Sequence, residues 1–222
     1  MKEEIITLLN EKAGTKQDVY RKTKSVFVDF QTILKEIAKE LQSLMKKSDA
    51  SIKVSYSSKG SFEAQLKLSG ETLLFHMHSN VFDFPPSHAI KKTSYIKKDN
   101  LRSFCGVINI YSFLSDSLKY NRLNDEGYLV GRIFINKDNH FLVEGERQLG
   151  FLFSDFERQI IDKKHIESIV NAAIMFALSE DLMIPNFKDV QTVIVHQILQ
   201  MSNNQKIKTA KRLGYKFSHE NK

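Results

Sequence analysis

The first quarter of the chain carries apolar residues at alternating spacings of three and four. Tyr20, Thr23, Phe27, Phe30, Leu34, Ile37, Leu41 and Leu44 form one seam, flanked by Val19, Val26, Ile33, Ala38 and Met45. That period predicts a long amphipathic helix, and the wide stripe favours packing against a sheet or bundle, with a coiled-coil dimer as the alternative. Thr15 and Asp18 are spaced as a helix start, and Lys46 and Lys47 suit a helix end. A shorter amphipathic helix near residues 2–13 is expected to stop at Gly14.

From Ser51 the period falls to two, which predicts strands. Ile52, Val54 and Tyr56 alternate with polar residues, as do Phe62, Ala64, Leu66 and Leu68. A turn at Ser69–Thr72 with Gly70 left-handed predicts Leu66 opposite Phe75, Ala64 opposite Met77, Gln65 opposite His76 and Glu63 opposite His78. A second hairpin follows from matching Leu129, Ile133 and Ile135 with Phe141 and Val143. It requires an odd loop, Lys137-Asp138-Asn139, with Asn139 left-handed, and places Ile135 opposite Phe141 and Arg132 opposite Glu144. Phe104–Tyr111 is apolar on both faces and reads as a central strand, and Leu149–Phe153 as an edge strand.

Ser154-Asp155-Phe156-Glu157 has the form of a capping box for a helix reaching about Leu182, and Val190–Met201 reads as a further helix. The expected fold is therefore α+β: an antiparallel-rich sheet of about six strands, flanked by a long N-terminal helix and C-terminal helices. The expected organisation is one domain, with a helical region at 1–48, a sheet core at 50–153, a helical region at 154–204 and a basic tail at 205–222.

Composition adds limits. Hydrophobic residues make up 41% of the 222 and aromatics 10%, enough for a sizeable core. The lone Cys105 can form no internal disulfide, and its apolar setting fits a reducing compartment. No stretch approaches the roughly 20 apolar residues of a membrane span, and the start lacks a secretory pattern. A cytoplasmic location and no membrane partner are expected.

Three groups of residues carry candidate chemistry. His76 and His78 project from one strand face, and with Glu63 across the hairpin they offer ligands for Zn²⁺ or another divalent metal. Asp83 and His88 stand ready to complete the set. H-x-H on a strand is an unspecific signal, and histidines bonded to Glu63, Gln65 or backbone are its plain structural reading. Arg122 and Asp125, in the connection at 112–127, could hold a carboxylate or phosphate, although Asn124-Asp125-Glu126-Gly127 also reads simply as a turn. Arg132 and Glu144 could form the polar floor of a ligand pocket or a structural bridge.

The charge of +7 is concentrated in two places. Lys91, Lys92, Lys97, Lys98 and Arg102 fall within 91–102 against Asp99. Lys206, Lys208, Lys211, Arg212, Lys216 and Lys222 fall within 205–222 against Glu220. These segments would suit nucleic acid or another anionic partner. No phosphate loop, dinucleotide fingerprint, nucleophile elbow or zinc ribbon occurs. The reading that asks least of the sequence is a non-catalytic binding or assembly protein that pairs with a second copy through the seam or an exposed sheet face. A nucleic-acid-associated protein and a metal-dependent enzyme centred on His76 and His78 are the alternatives.

Overall fold

The computed structural model describes residues 1–181, 186–195 and 199. Two helical pieces open the chain. Helix α1 (Lys2–Leu8) passes through a π turn (Leu9–Ala13) directly into α2 (Gly14–Ser48). Gly14 has ordinary helical angles (φ −57°), so no break separates the pieces, and Thr15 is a buried helical residue that caps nothing. A glycine lowers helix propensity without forcing an end, and here the helix continues.

Six antiparallel strands follow in simple sequential order: β1 (Val54–Ser58), β2 (Glu63–Leu68), β3 (Glu71–Asp83), β4 (Phe104–Leu114), β5 (Tyr128–Asn136) and β6 (Phe141–Gly145). The α+β fold, with its long N-terminal helix, is as the hydrophobic pattern predicts. The seam of α2 is core from Tyr20 to Leu41, and Leu44 beyond it is exposed. Phe27, Phe30 and Leu34 are fully buried against Leu66, Leu73, Phe75, Ile108 and Ile110. This burial within one chain removes the coiled-coil alternative for the seam. Helix α6 (Lys163–Ser179) completes this layer with Ile166, Ile169, Val170 and Ala173.

The hairpin of β5 and β6 has the expected register, with Ile135 opposite Phe141, Arg132 opposite Glu144, and Asn139 at φ +62°. The hairpin of β2 and β3 is displaced by two residues from expectation. Leu66 faces Leu73, Ala64 faces Phe75 and Glu63 faces His76, because the loop is Ser69–Gly70 and the left-handed residue is Ser69 (φ +57°). A two-residue shift keeps every side chain on its own face, so apolar matching cannot distinguish the two registers. On β5 a bulge opposite Ile110 and Tyr111 turns Val130 into the core and leaves Leu129 on the outer face, reversing their expected sides.

Two further expectations change. Gln148–Leu152 is a short helix, α5, and adds no strand. The C-terminal helix begins at Lys163, capped by Asp162, and not at the Ser154 box. Residues 153–161 run along the outer edge of β6 instead. The Val143 amide donates to the Phe153 carbonyl at 2.8 Å, and the Phe141 amide to Gln159 at 3.1 Å. That contact closes one sheet edge. The expected Val190–Met201 helix lies largely outside the described residues, which show α7 at Phe187–Val190.

Among the described residues, the second face of the sheet is covered only in part. The segment from Phe84 to Ser103, containing α3 (Ser94–Lys98) between two short 3₁₀ turns, arches over one end. Phe84, Ile90, Ile96, Cys105, Val107, Phe134, Leu142 and Phe156 form a separate apolar cluster beneath it. The Glu157 carboxylate caps α3, accepting from the Tyr95 amide at 2.8 Å and the Ser94 hydroxyl at 3.0 Å. Among the described residues, no helix is long and apolar enough to cross a membrane.

Candidate functional site

The uncovered part of that second face collects residues from five strands. Successive register partners Glu63, His76, Asn109, Arg132 and Glu144 form one row across β2 to β6. Residues directly opposite in neighbouring strands share a face, so the row is a continuous polar band. One side of it abuts Val107, Phe134 and Leu142 at the margin of the arch. On the other side lie Gln65, Leu74, Tyr111 and Leu129, paired in the same manner.

The ends of the row are internally committed. Arg132 forms an ion pair with Glu144, and its guanidinium lies 5.4 Å from the centre of the Phe134 ring. His88, reaching down from the arch, places Nε2 3.7 Å from the other Glu144 oxygen and packs its ring, tilted, against Phe84 with centroids 4.6 Å apart. At the far end, Glu63 accepts from the Gln65 amide at 2.7 Å, with Lys59 at 3.9 Å. The middle is different. The His76 imidazole, the Asn109 amide and the Tyr111 hydroxyl are half-buried, and none has an internal hydrogen-bond partner among the described residues.

Of the candidate metal ligands, the sheet register pairs Glu63 with His76 alone. His78 sits at the β3 bulge, where Nδ1 accepts from the Asn80 amide at 3.0 Å and the ring meets Phe82 edge-on at 4.7 Å. Asp83 is taken by Lys91 and Ser103, and His88 Nδ1 accepts from the Ile90 amide at 3.3 Å. No group of three or more His, Cys, Asp or Glu side chains among the described residues is placed to hold a metal ion. Arg122 and Asp125 lie in the turn after α4 (Ser115–Lys119), between the end of β4 and the start of β5 and away from the arch. The Arg122 guanidinium is 5.6 Å over the Tyr120 ring, and the Asp125 amide donates to the Arg122 carbonyl at 3.1 Å. They do not join Arg132 and Glu144 in one site.

The basic segment 91–102 divides into two classes. Lys91 is bound to Asp83 and Ser103. Arg102 pairs with Asp138 at 3.0 Å and covers the Tyr95 ring at 4.4 Å. Lys92, Lys97 and Lys98 are exposed. Lys137, from the neighbouring hairpin, pairs with Asp99. Lys208, Lys211 and Arg212 lie outside the described residues.

Carboxyl groups under the arch are tuned by these bonds. Burial disfavours the Asp83 charge, but hydrogen bonds from Lys91 and Ser103 outweigh it and hold the carboxyl below its ordinary value. For Asp99 the Lys137 bond is the largest cause of a lowered value. Burial drives the Tyr95 phenol well above its ordinary value, and its bond to Asp138 adds to the rise. Burial likewise raises the Cys105 thiol, a fully enclosed group suited to packing and not to nucleophilic attack.

Sequence reasoning found four of the five row residues but not their union, nor Asn109 and Tyr111. Those two sit inside a strand that reads as apolar on both faces, and only strand order shows that the described residues leave their face open. Comparison with protein-family models, with curated proteins and with solved structures finds no match.

Proposed function

We propose that this protein is a non-catalytic binding module that holds a peptide segment of a partner protein on the open half of its sheet. The observation behind this reading is the uncommitted pair His76 and Asn109 at the centre of the polar row, with the uncommitted Tyr111 hydroxyl in the file beside it. Side chains that donate and accept hydrogen bonds suit peptide amides, and Leu74 and Leu129 alongside offer contact to apolar side chains. The carboxylates of Glu63 and Glu144 at the ends of the row disfavour a polyanion on this surface. Selection of peptides from a displayed random library against the full chain, followed by titration, tests the reading. Selected peptides are expected to bind Asn109→Ala/Tyr111→Ala at least about tenfold more weakly, with the melting temperature little changed. Failure to select any peptide, or equal binding by the variant, would reject it.

A nucleic-acid partner is the second reading, favoured by the exposed Lys92, Lys97 and Lys98. Lys12 and Lys16 of the N-terminal helix add to that end, lying 5.9 and 5.3 Å over the ring of Phe104, the residue that follows the arch. Such binding would weaken steeply with salt in a gel-shift titration and would be lost in Lys92→Glu/Lys97→Glu/Lys98→Glu.

A further inference from the structure

The N-terminal helix changes character at its π turn. From Thr15 onward, its apolar residues are buried against the sheet. Before the turn nothing is buried, and Ile5, Ile6, Leu8 and Leu9 are 50%, 56%, 61% and 59% exposed. An uninterrupted α-helix would bring Ile5, Leu8 and Leu9 close to the face that α2 turns to the sheet. A π turn accommodates about one extra residue, which rotates the preceding stripe by about 100°. The result is a projecting helical arm whose apolar stripe has no counterpart among the described residues of its own chain.

We infer that this arm pairs with the same arm of a second copy in an antiparallel helix pair. The choice of occupant rests on charge. Glu3 and Glu4 lie at the start of the arm and Lys12 at its end, with Lys16 following in α2. A parallel pair would set Glu4 beside Glu4 and Lys12 beside Lys12. In an antiparallel pair centred near Leu8, Glu4 lies level with the Lys12 of the other copy, at both ends at once. The helix dipoles are also opposed in that arrangement. The competing intrachain contacts are weak: the Met1 ammonium bonds Glu4 at 3.0 Å on the exposed surface, and Lys12 lies 5.9 Å over the Phe104 ring. An arm of about three and a half turns is about 20 Å long, so the contact is small and the dimer dissociates on dilution.

This pairing is independent of the sheet-face reading. It is tested by sedimentation equilibrium of the full chain, from micromolar to sub-millimolar concentration in low salt. The expected result is a monomer–dimer equilibrium that Ile5→Glu/Leu8→Glu shifts at least about tenfold towards monomer. The arm contributes nothing to the core, so this variant keeps the wild-type circular dichroism and melting temperature measured where the chain is monomeric. Glu4→Lys alone weakens the dimer, and Glu4→Lys/Lys12→Glu restores it, because both reversed charges face each other again. A chain that stays monomeric throughout, or a dimer indifferent to Ile5→Glu/Leu8→Glu, overturns the inference. A dimer that Glu4→Lys weakens and the double reversal fails to restore overturns the antiparallel arrangement.

Discussion

Asn136 illustrates how one buried polar side chain can join separate parts of a fold. It is fully buried at the end of β5. Its amide donates to the Tyr95 hydroxyl at 3.0 Å and the Arg102 carbonyl at 3.1 Å, and its oxygen accepts from the Asp138 and His140 amides at 2.9 and 3.0 Å. The side chain therefore ties the arch to the turn of the β5–β6 hairpin. Replacing it with alanine strands several buried partners at once, and Asn136→Ala is expected to cost about 2–4 kcal/mol in urea unfolding. A cost below about 1 kcal/mol would mean that water replaces the amide and the tie is not structural. Nothing in the sequence marks this residue, because an asparagine before Lys137-Asp138-Asn139 reads as part of a turn. Its role depends on a strand bringing it beneath Tyr95, some forty positions away. Arg132 and Glu144 were legible for the opposite reason: an odd hairpin loop fixes their pairing from twelve residues apart.

At the level of elements, the seating of α2 on the sheet is decided by one close approach. A Cβ built on Gly106 would lie 2.1 Å from the Thr23 hydroxyl oxygen and 2.8 Å from the Thr23 Cβ. Rotating the threonine moves the hydroxyl but not its Cβ, so the helix itself must shift. Thr23 is fully buried, with its hydroxyl bonded to the Val19 carbonyl at 2.8 Å. Gly106→Ala is therefore expected to destabilise by about 1–3 kcal/mol through overpacking, measured by denaturant midpoint. An unchanged midpoint would show that α2 and β4 are less tightly fitted than their distance implies. Element type was readable wherever a period ran for several turns or residues, as in α2 and the hairpins. It was misread where a local signal met a stronger tertiary demand. The residues of the Ser154 box, strong as a helix start, are drawn along the edge of β6, and Glu157 caps a different helix. The two-residue offset in β2 and β3 is invisible in the face pattern, because only turn geometry distinguishes the alternatives.

Across the whole molecule, the two faces of the sheet are held by different forces, and this gives stability a defined dependence on pH. The core between the sheet and the helices α2 and α6 is apolar and itself takes up no protons. The arch on the other face is tied by Asp83 to Lys91 and by Asp99 to Lys137, and α6 is capped by Asp162, whose carboxyl is lowered first by the His165 amide. Carboxyl groups lowered in the fold contribute stability that is present above their ordinary value of about 4. That contribution fades as pH falls through their lower folded values. Tyr95 acts in the other direction. A phenol raised in the fold contributes fully below its ordinary value of about 10, and the contribution is lost as pH rises through the higher folded value. Tyr128, raised to about 12 by burial and then by Glu180 and Glu126, adds to the same alkaline limit. The melting temperature is therefore expected to hold level between these limits, fall below about pH 4 and fall again above about pH 10. Asp99→Asn should lower the plateau and flatten the acid fall, while Tyr95→Phe should soften the alkaline one without abolishing it, since Tyr128 remains. An acid fall of the same steepness in Asp99→Asn would show that the Asp99–Lys137 pair contributes nothing measurable to holding the arch.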